Sequence, residues 1–326
     1  MKEFNELLPQ VNATNFSNIA LEVYRFQYKN NLLYQSYAKL LGKVPDRVKS
    51  LSDIPFLPIR FFKTHQVITG NWKPQSEFES SSTTGVGVSR HAIHDSEFYL
   101  QNSRSIFESF YGPVTNFHFL ALLPSYLERK GSSLIAMIDH FIKMDSTNNS
   151  GFYLKNHGEL IEKIKSLEQS PKKIILWGVS FALLDLAEKN NLDLSNCIVL
   201  ETGGMKGRRK EMVRRELHEL LKNRFNIASV DSEYGMTELF SQAYARNGGY
   251  FKCPPWMKAS VRDINDPFEI VAEGKTGAIN IIDLANVHSC AFIETEDIGV
   301  VFDHSGFEVL GRMDNSDVRG CNLLVN

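Results

Sequence analysis

Between residues 117 and 231 the chain alternates short apolar runs with amphipathic stretches, and this constrains the fold more than any other feature. Residues 117–123 (Phe-His-Phe-Leu-Ala-Leu-Leu), 173–177, 197–200 and 227–231 read as buried strands, and 132–141, 157–167, 179–189 and 208–225 as helices. Strands separated by helices need crossover connections, which produce a largely parallel sheet with helices on its faces. Upstream, 18–41 carries helical spacing that stops at Gly42, 54–69 with Pro55 and Pro58 reads as an extended lead-in, and 96–111 reads as a helix. After Gly249, short strand candidates at 257–263, 268–272, 277–283, 300–302 and 307–310 are punctuated by Gly, Asp and Asn. The expected class is α/β, with an α/β core over 1–250 and a β-rich subdomain over 251–326.

Composition narrows the chemistry. A net charge of −2 gives no basic surface for nucleic acid or for an anionic membrane. Cys197, Cys253, Cys290 and Cys321 are scattered without a CxxC pair, which argues against a zinc site or a disulfide scaffold and fits a reducing cytoplasm. No run approaches the roughly 18 apolar residues of a membrane span, and the start lacks a signal-like apolar core, so a soluble cytoplasmic protein is expected.

Three stretches carry candidate chemistry. Residues 79–90 contain Ser80, Ser81, Ser82, Thr83, Thr84 and Gly85, five hydroxyls and a run of unshielded backbone N–H groups. Such a loop can wrap a phosphate, and it equally suits a plain surface turn. Two strand candidates empty into small or polar residues, one into Glu201-Thr-Gly-Gly and the other into Ser232-Glu-Tyr-Gly-Met-Thr-Glu. Ligands of open α/β sheets lie beyond the carboxyl ends of strands. There the Tyr234 ring can stack a purine and Glu238 can hold Mg²⁺ against phosphate oxygens. The same residues also suit a capped turn into a helix.

Read together, Ser80-Ser-Ser-Thr-Thr-Gly85, Glu233-Tyr-Gly-Met-Thr-Glu238, Glu294-Thr-Glu-Asp297 and Gly311-Arg-Met-Asp314 resemble, in order and rough spacing, the motifs of adenylate-forming enzymes. Leu122-Leu-Pro-Ser-Tyr126 and Arg319-Gly-Cys-Asn-Leu-Leu324 are similar to a narrower branch. That branch is the acyl-protein synthetases of the bacterial luminescence fatty-acid reductase complex, close to the phenylacetate-CoA ligases. The resemblance runs from about residue 54 to the end.

The resemblance implies a job: ATP- and Mg²⁺-dependent activation of a carboxylic acid, a fatty acid by the nearer branch, to an acyl-adenylate. Ser80 to Gly85 would hold the β- and γ-phosphates, although Ser82 stands where the family often has Gly, and Arg90 is the nearest cation. Gly203, Gly204 and Gly235 would line the nucleotide, with Tyr234 on the adenine and Glu238 on the metal. Thr237 would sit near the α-phosphate and the acyl carboxylate, Asp297 at the ribose and Arg312 near ribose or phosphate. Cys321 matches the cysteine that carries the acyl thioester in these synthetases, and an acyl reductase or acyltransferase is the implied protein partner. The resemblance further implies that the lid domain of related ligases is absent, with Lys206 as the substitute for its lysine. His91 and His94 follow the loop and could reach substrate, but read first as solvated or capping residues, and Arg214 and Arg215 as part of a solvated helix face. Trp177 and Phe181 suit either an acid pocket or the core. Two rivals stand beside this reading: a ligase that passes the acyl group to CoA or a carrier, and a non-catalytic nucleotide-binding subunit.

Overall fold

A computed structural model describes residues 2–80, 87–123, 131–154, 156–203, 212–302 and 306–313. Its helices are α1 (Lys2–Leu7), α2 (Phe16–Asn30), α3 (Leu32–Leu40), α4 (Phe61–Thr64), α5 (Ser96–Tyr111), α6 (Ser133–Lys143), α7 (His157–Ser166), α8 (Ser180–Lys189) and α9 (Arg214–Phe225). The strands are β1 (Leu57–Pro58), β2 (Ser76–Glu79), β3 (Arg90–Ile93), β4 (Phe117–Leu122), β5 (Gly151–Phe152), β6 (Lys173–Val179) and β7 (Cys197–Thr202). They continue with β8 (Asp231–Tyr234), β9 (Ala243–Ala245), β10 (Met257–Arg262), β11 (Thr276–Asp283), β12 (Phe292–Phe302) and β13 (Gly306–Arg312).

The crossover units build a sheet ordered β5-β4-β6-β7-β8-β9, parallel except for β9. β4 is buried at every position and β6 at every position after Lys173, as strands covered on both faces must be. Trp177 is fully buried there, within 6.4 Å of the Phe107, Phe141 and Tyr244 rings, so it belongs to the core and not to an acid pocket. A second sheet is ordered β1-β12-β11-β10, with β13 also on β12. Its strands pair antiparallel except for β1, which runs parallel to β12. Thus residues 57–58 join a sheet otherwise made after residue 256. β2 and β3 form a separate antiparallel pair.

The structure departs from the sequence reading at particular residues. The stretch 18–41 is two helices, broken at Asn31, whose buried side chain accepts the Tyr34 N–H and donates to Thr69 Oγ1 and Ser289 O. A side chain that captures both backbone and distant partners competes with helix continuation. The lead-in at 54–69 contains α4 and only two strand residues. The strand expected at 227–231 lies instead at Asp231–Tyr234. The candidate at 268–272 is a single bridge between Ile270 and Arg262, and that at 300–302 is the end of the eleven-residue β12.

A buried clasp closes the amino end of β4. His118 bonds Asp145 through Nδ1 at 2.9 Å and Ser170 Oγ through Nε2 at 2.8 Å. Asp145 also takes Lys172 Nζ, Ser150 Oγ and Thr147 Oγ1. These donors outweigh burial and hold its carboxyl far below the usual range. The residue types are those of a nucleophilic triad, but the clasp ties two turns to the sheet at the end opposite Gly203 and Tyr234.

Candidate functional site

The parallel register sets Thr202 beside Glu233, so Gly203 and Tyr234 leave neighbouring strands side by side at the carboxyl edge of the first sheet. Gly203 has φ +66°, a left-handed conformation that disfavours any side chain. Its carbonyl accepts the Ser180 hydroxyl at the start of α8, and Ser180 also reaches Glu201. Gly235 is exposed, and a Cβ there would collide with the Glu233 carboxylate, itself held by Thr202 Oγ1.

Tyr234 connects the two sheets. Its hydroxyl donates to Asp297 Oδ2 at 2.8 Å, and its ring packs against Phe251 and Phe307. Burial lifts the Asp297 carboxyl above its usual range, against the pull of the Tyr234 hydroxyl and the Arg312 charge. Asp297 lies within β12 with Arg312 as its cross-strand partner on β13. Arg312 is largely exposed and pairs with Glu296 at 3.4 Å.

Between these poles runs the segment 235–241. Thr237 is half-buried and Glu238 buried. Burial raises the Glu238 carboxyl, relieved by the Ser89 hydroxyl and, from further away, by Arg312 and Lys63. Among the described residues no basic side chain stands within ion-pair distance of Glu238 and no three-residue metal cluster exists. A buried carboxylate with hydroxyl help and no close cation suits Mg²⁺, a hard ion held by one or two carboxylates plus substrate phosphates. The observed chemistry therefore fits the expected metal.

The residues that hold this segment escaped the sequence reading. Asp283 accepts the N–H groups of Phe240 (2.7 Å) and Ser241 (2.8 Å), the Ser241 hydroxyl and the Ala285 N–H. His91, read as solvated or capping, is not solvated: it is 1% exposed, with Nδ1 2.8 Å from Thr237 O and Nε2 3.1 Å from Asn286 Oδ1. A neutral imidazole has one N–H and satisfies one of these acceptors at a time. Burial opposes the doubly protonated ring and pushes its pKa down to about 4. Arg214, expected on a solvated face, is mostly buried, donating to Ser232 Oγ and Gly249 O and lying 4.7 Å from the Phe251 ring centre. Such partners lie far apart in sequence, so no local pattern marks them.

Arg90 is exposed and faces Glu77 and Glu79, at 3.8 and 3.5 Å. Ser80 is described, its N–H and hydroxyl paired with the backbone of Ser89. Ser81, Ser82, Thr83, Thr84, Gly85, Gly204, Lys206 and Cys321 lie outside the described residues. Burial raises the thiols of Cys197 to about 11 and of Cys253 and Cys290 to about 12, which leaves them poor nucleophiles.

The chain is similar to known proteins along most of its length. The family model of the acyl-protein synthetase, LuxE, matches residues 118–326. The chain is 23% identical over 339 residues to the long-chain-fatty-acid–luciferin-component ligase of Aliivibrio fischeri, covering 93% of this chain and 85% of that protein. It is 23% identical over 347 residues to the ligase of the same name from Vibrio harveyi, covering 94% and 86%. Among solved structures, 2-hydroxyisobutyryl-CoA ligase in complex with 2-HIB-AMP and CoA superposes with a TM-score of 0.67 at 13% identity, over 93% of this chain and 69% of that one. ATP-bound MatB from Rhodopseudomonas palustris gives 0.53 at 16% identity, over 72% of this chain and 47% of that structure, so the match spans about half its length. These structural likenesses establish the fold, the α/β architecture of adenylate-forming enzymes. With the family match covering most of its length, the chain belongs to the acyl-protein synthetase (LuxE) family of ligases.

Proposed function

We propose that the carboxyl edge of the first sheet condenses a long-chain fatty acid with ATP and that the acyl group then passes to Cys321. Family membership supplies the general chemistry, ATP-dependent activation of an acid followed by acyl transfer. The observation that carries the placement is the Tyr234–Asp297 hydrogen bond. With the Gly203–Tyr234 register, it gathers three sequence-distant motifs around the 235–241 segment.

In the first step a carboxylate oxygen attacks the α-phosphorus and the bond to the bridging oxygen breaks, so pyrophosphate leaves and an acyl-adenylate remains. The chain's part is to position and to neutralise. Asp297 spends one oxygen on Tyr234 and has the other for ribose hydroxyls, while Arg312 adds positive charge at the same edge. Glu238 would hold Mg²⁺, which when bound screens the charge building on the phosphates. Thr237 would donate near the α-phosphate, with Ser80 at the mouth of the hydroxyl loop. In the second step the Cys321 thiolate attacks the acyl carbon, the carbon–oxygen bond to AMP breaks, and the thiol proton goes to solvent. A thioester is a suitable product to hand to an acyl reductase or acyltransferase protein. Lys206 is the cation we would test for a role in adenylation.

Incubation with ATP, Mg²⁺ and fatty acids of graded length, followed by intact-mass measurement, tests the reading. The expected adduct is labile to hydroxylamine and disappears in Cys321→Ser. Pyrophosphate release without an adduct would instead mean a diffusible acceptor.

A further inference from the structure

His91 and Asn286 do a job that no motif assigns. β3 leaves the hydroxyl loop with alternate residues Ser89 and His91 both buried, and Arg90 between them exposed. The Ser89 hydroxyl supports the Glu238 carboxylate, and His91 Nδ1 lies 2.8 Å from the Thr237 carbonyl, to which it donates in the Nδ1–H tautomer. Asn286 meets the other face of the His91 ring edge at Nε2 and gives its Nδ2 hydrogen to the Glu238 carbonyl at 2.8 Å. Two consecutive carbonyls are therefore held by side chains from two different elements, neither adjacent in sequence. Asn286 is itself fixed: its carbonyl accepts Gln27 Nε2 at 3.1 Å, and the preceding turn is capped by Asp283. The His91 ring is wedged edge-on against Phe62 and Phe240.

We propose that His91 and Asn286 are a positioning pair. They set the backbone of Thr237 and Glu238, and through it the aim of the Glu238 carboxylate and the Thr237 hydroxyl at the triphosphate. The inference rests on the adenylation reading above. Its physical basis is leverage: neither side chain needs to touch substrate, because a carbonyl that loses its donor lets the next Cα and its carboxylate swing. Outer partners of this kind typically govern cation affinity and turnover by about 10- to 100-fold. The pair also couples the strand that exits the hydroxyl loop to the metal-facing segment, so one displacement moves both.

The test uses the full chain and the variants His91→Ala, His91→Asn and Asn286→Ala, each checked for folding by circular dichroism and melting temperature. ATP–pyrophosphate exchange is titrated with Mg²⁺. Mn²⁺ binding with a non-hydrolysable ATP analogue is followed by electron paramagnetic resonance, and amide hydrogen exchange is read at residues 238–240. His91→Ala and Asn286→Ala are expected to lower exchange turnover about 10- to 100-fold. They should also weaken Mn²⁺ binding about 10-fold or more and speed amide exchange at 238–240, while the fatty-acid KM is unchanged. His91→Asn, whose amide nitrogen can occupy the Nδ1 position, should recover most of the loss. The proposal is overturned if His91→Ala leaves turnover, cation binding and amide exchange unaltered. It is equally overturned if His91→Asn fails as badly as His91→Ala in step with a lost melting temperature. Wild-type protein that exchanges no pyrophosphate with any acid would sink the adenylation reading instead, and the amide-exchange comparison would still decide whether the pair holds the segment.

Discussion

Tyr234 performs two tasks with one side chain. Its ring fills space between Phe251 and Phe307, and its hydroxyl is a donor to a buried carboxyl. Tyr234→Phe keeps the ring and strands Asp297 without that donor, so stability should fall by about 1–3 kcal/mol. The KM for ATP should rise, as checked by urea denaturation and exchange kinetics. His91 and His288 make a separate prediction. Burial lowers both to about 4, with neighbouring His94 contributing at His288. Unfolding returns each ring to its ordinary 6.5, so between 6.5 and 4 the unfolded chain binds more protons and stability falls as the pH falls. The loss is on the order of 3 kcal/mol per ring. The stability gap between the protein and His91→Gln should therefore narrow over that window in pH-dependent denaturation.

Elements whose signals are local are those the sequence shows well. α5 begins at Asp95, whose carboxylate accepts the Phe98 N–H, and ends at Gly112 with φ +88°, so both punctuation marks are visible in the chain. β8 is the opposite case. The strand read from the sequence stops at Asp231, and Ser232 and Glu233 look like a loop, yet all three are buried, because Tyr111, Asn247, Arg214 and Thr202 supply their partners. Tertiary satisfaction of polar groups overrides propensity there. The same divide runs through the site. Tyr234, Glu238 and Asp297 stand out as motif residues, whereas His91, Asp283 and Asn286 act over separations of up to 195 positions and carry no local mark. Two substitutions test the turn between the strands. Gly235→Ala should drive a methyl into the Glu233 carboxylate and cost about 1–3 kcal/mol together with most activity. Asp283→Ala should be worse, at least about 3 kcal/mol, since it orphans several buried donors at once. Thermal unfolding ranks the two.

At the scale of the whole molecule, the amino-terminal helices are bonded into the second sheet. Gln27 on α2 donates to the carbonyls of Asn286 and Val287 and accepts the Ala291 N–H, and Asn31 reaches Ser289 O. The division at residue 250 is accordingly proposed as a division between sheets and not between autonomous units. A fragment of residues 251–326 made alone should lack cooperative melting by circular dichroism. Gln27→Ala should destabilise the entire protein in a single transition, by about 1–3 kcal/mol. No helix among the described residues is long and apolar enough to cross a membrane.

The parallel pairing of Leu57 with Ile293, alongside the Arg60–Glu296 contact across 236 positions, also sets a clock on biosynthesis. A ribosome adding 5–20 residues per second needs roughly 10 to 50 s to make the partner of a strand already outside the tunnel. For that interval the edge of β1 and the apolar faces of α2 and α3 have no sheet to join. Nascent chains stalled before residue 292 should therefore recruit chaperones in proportion to the length of the pause, and release them once β12 emerges.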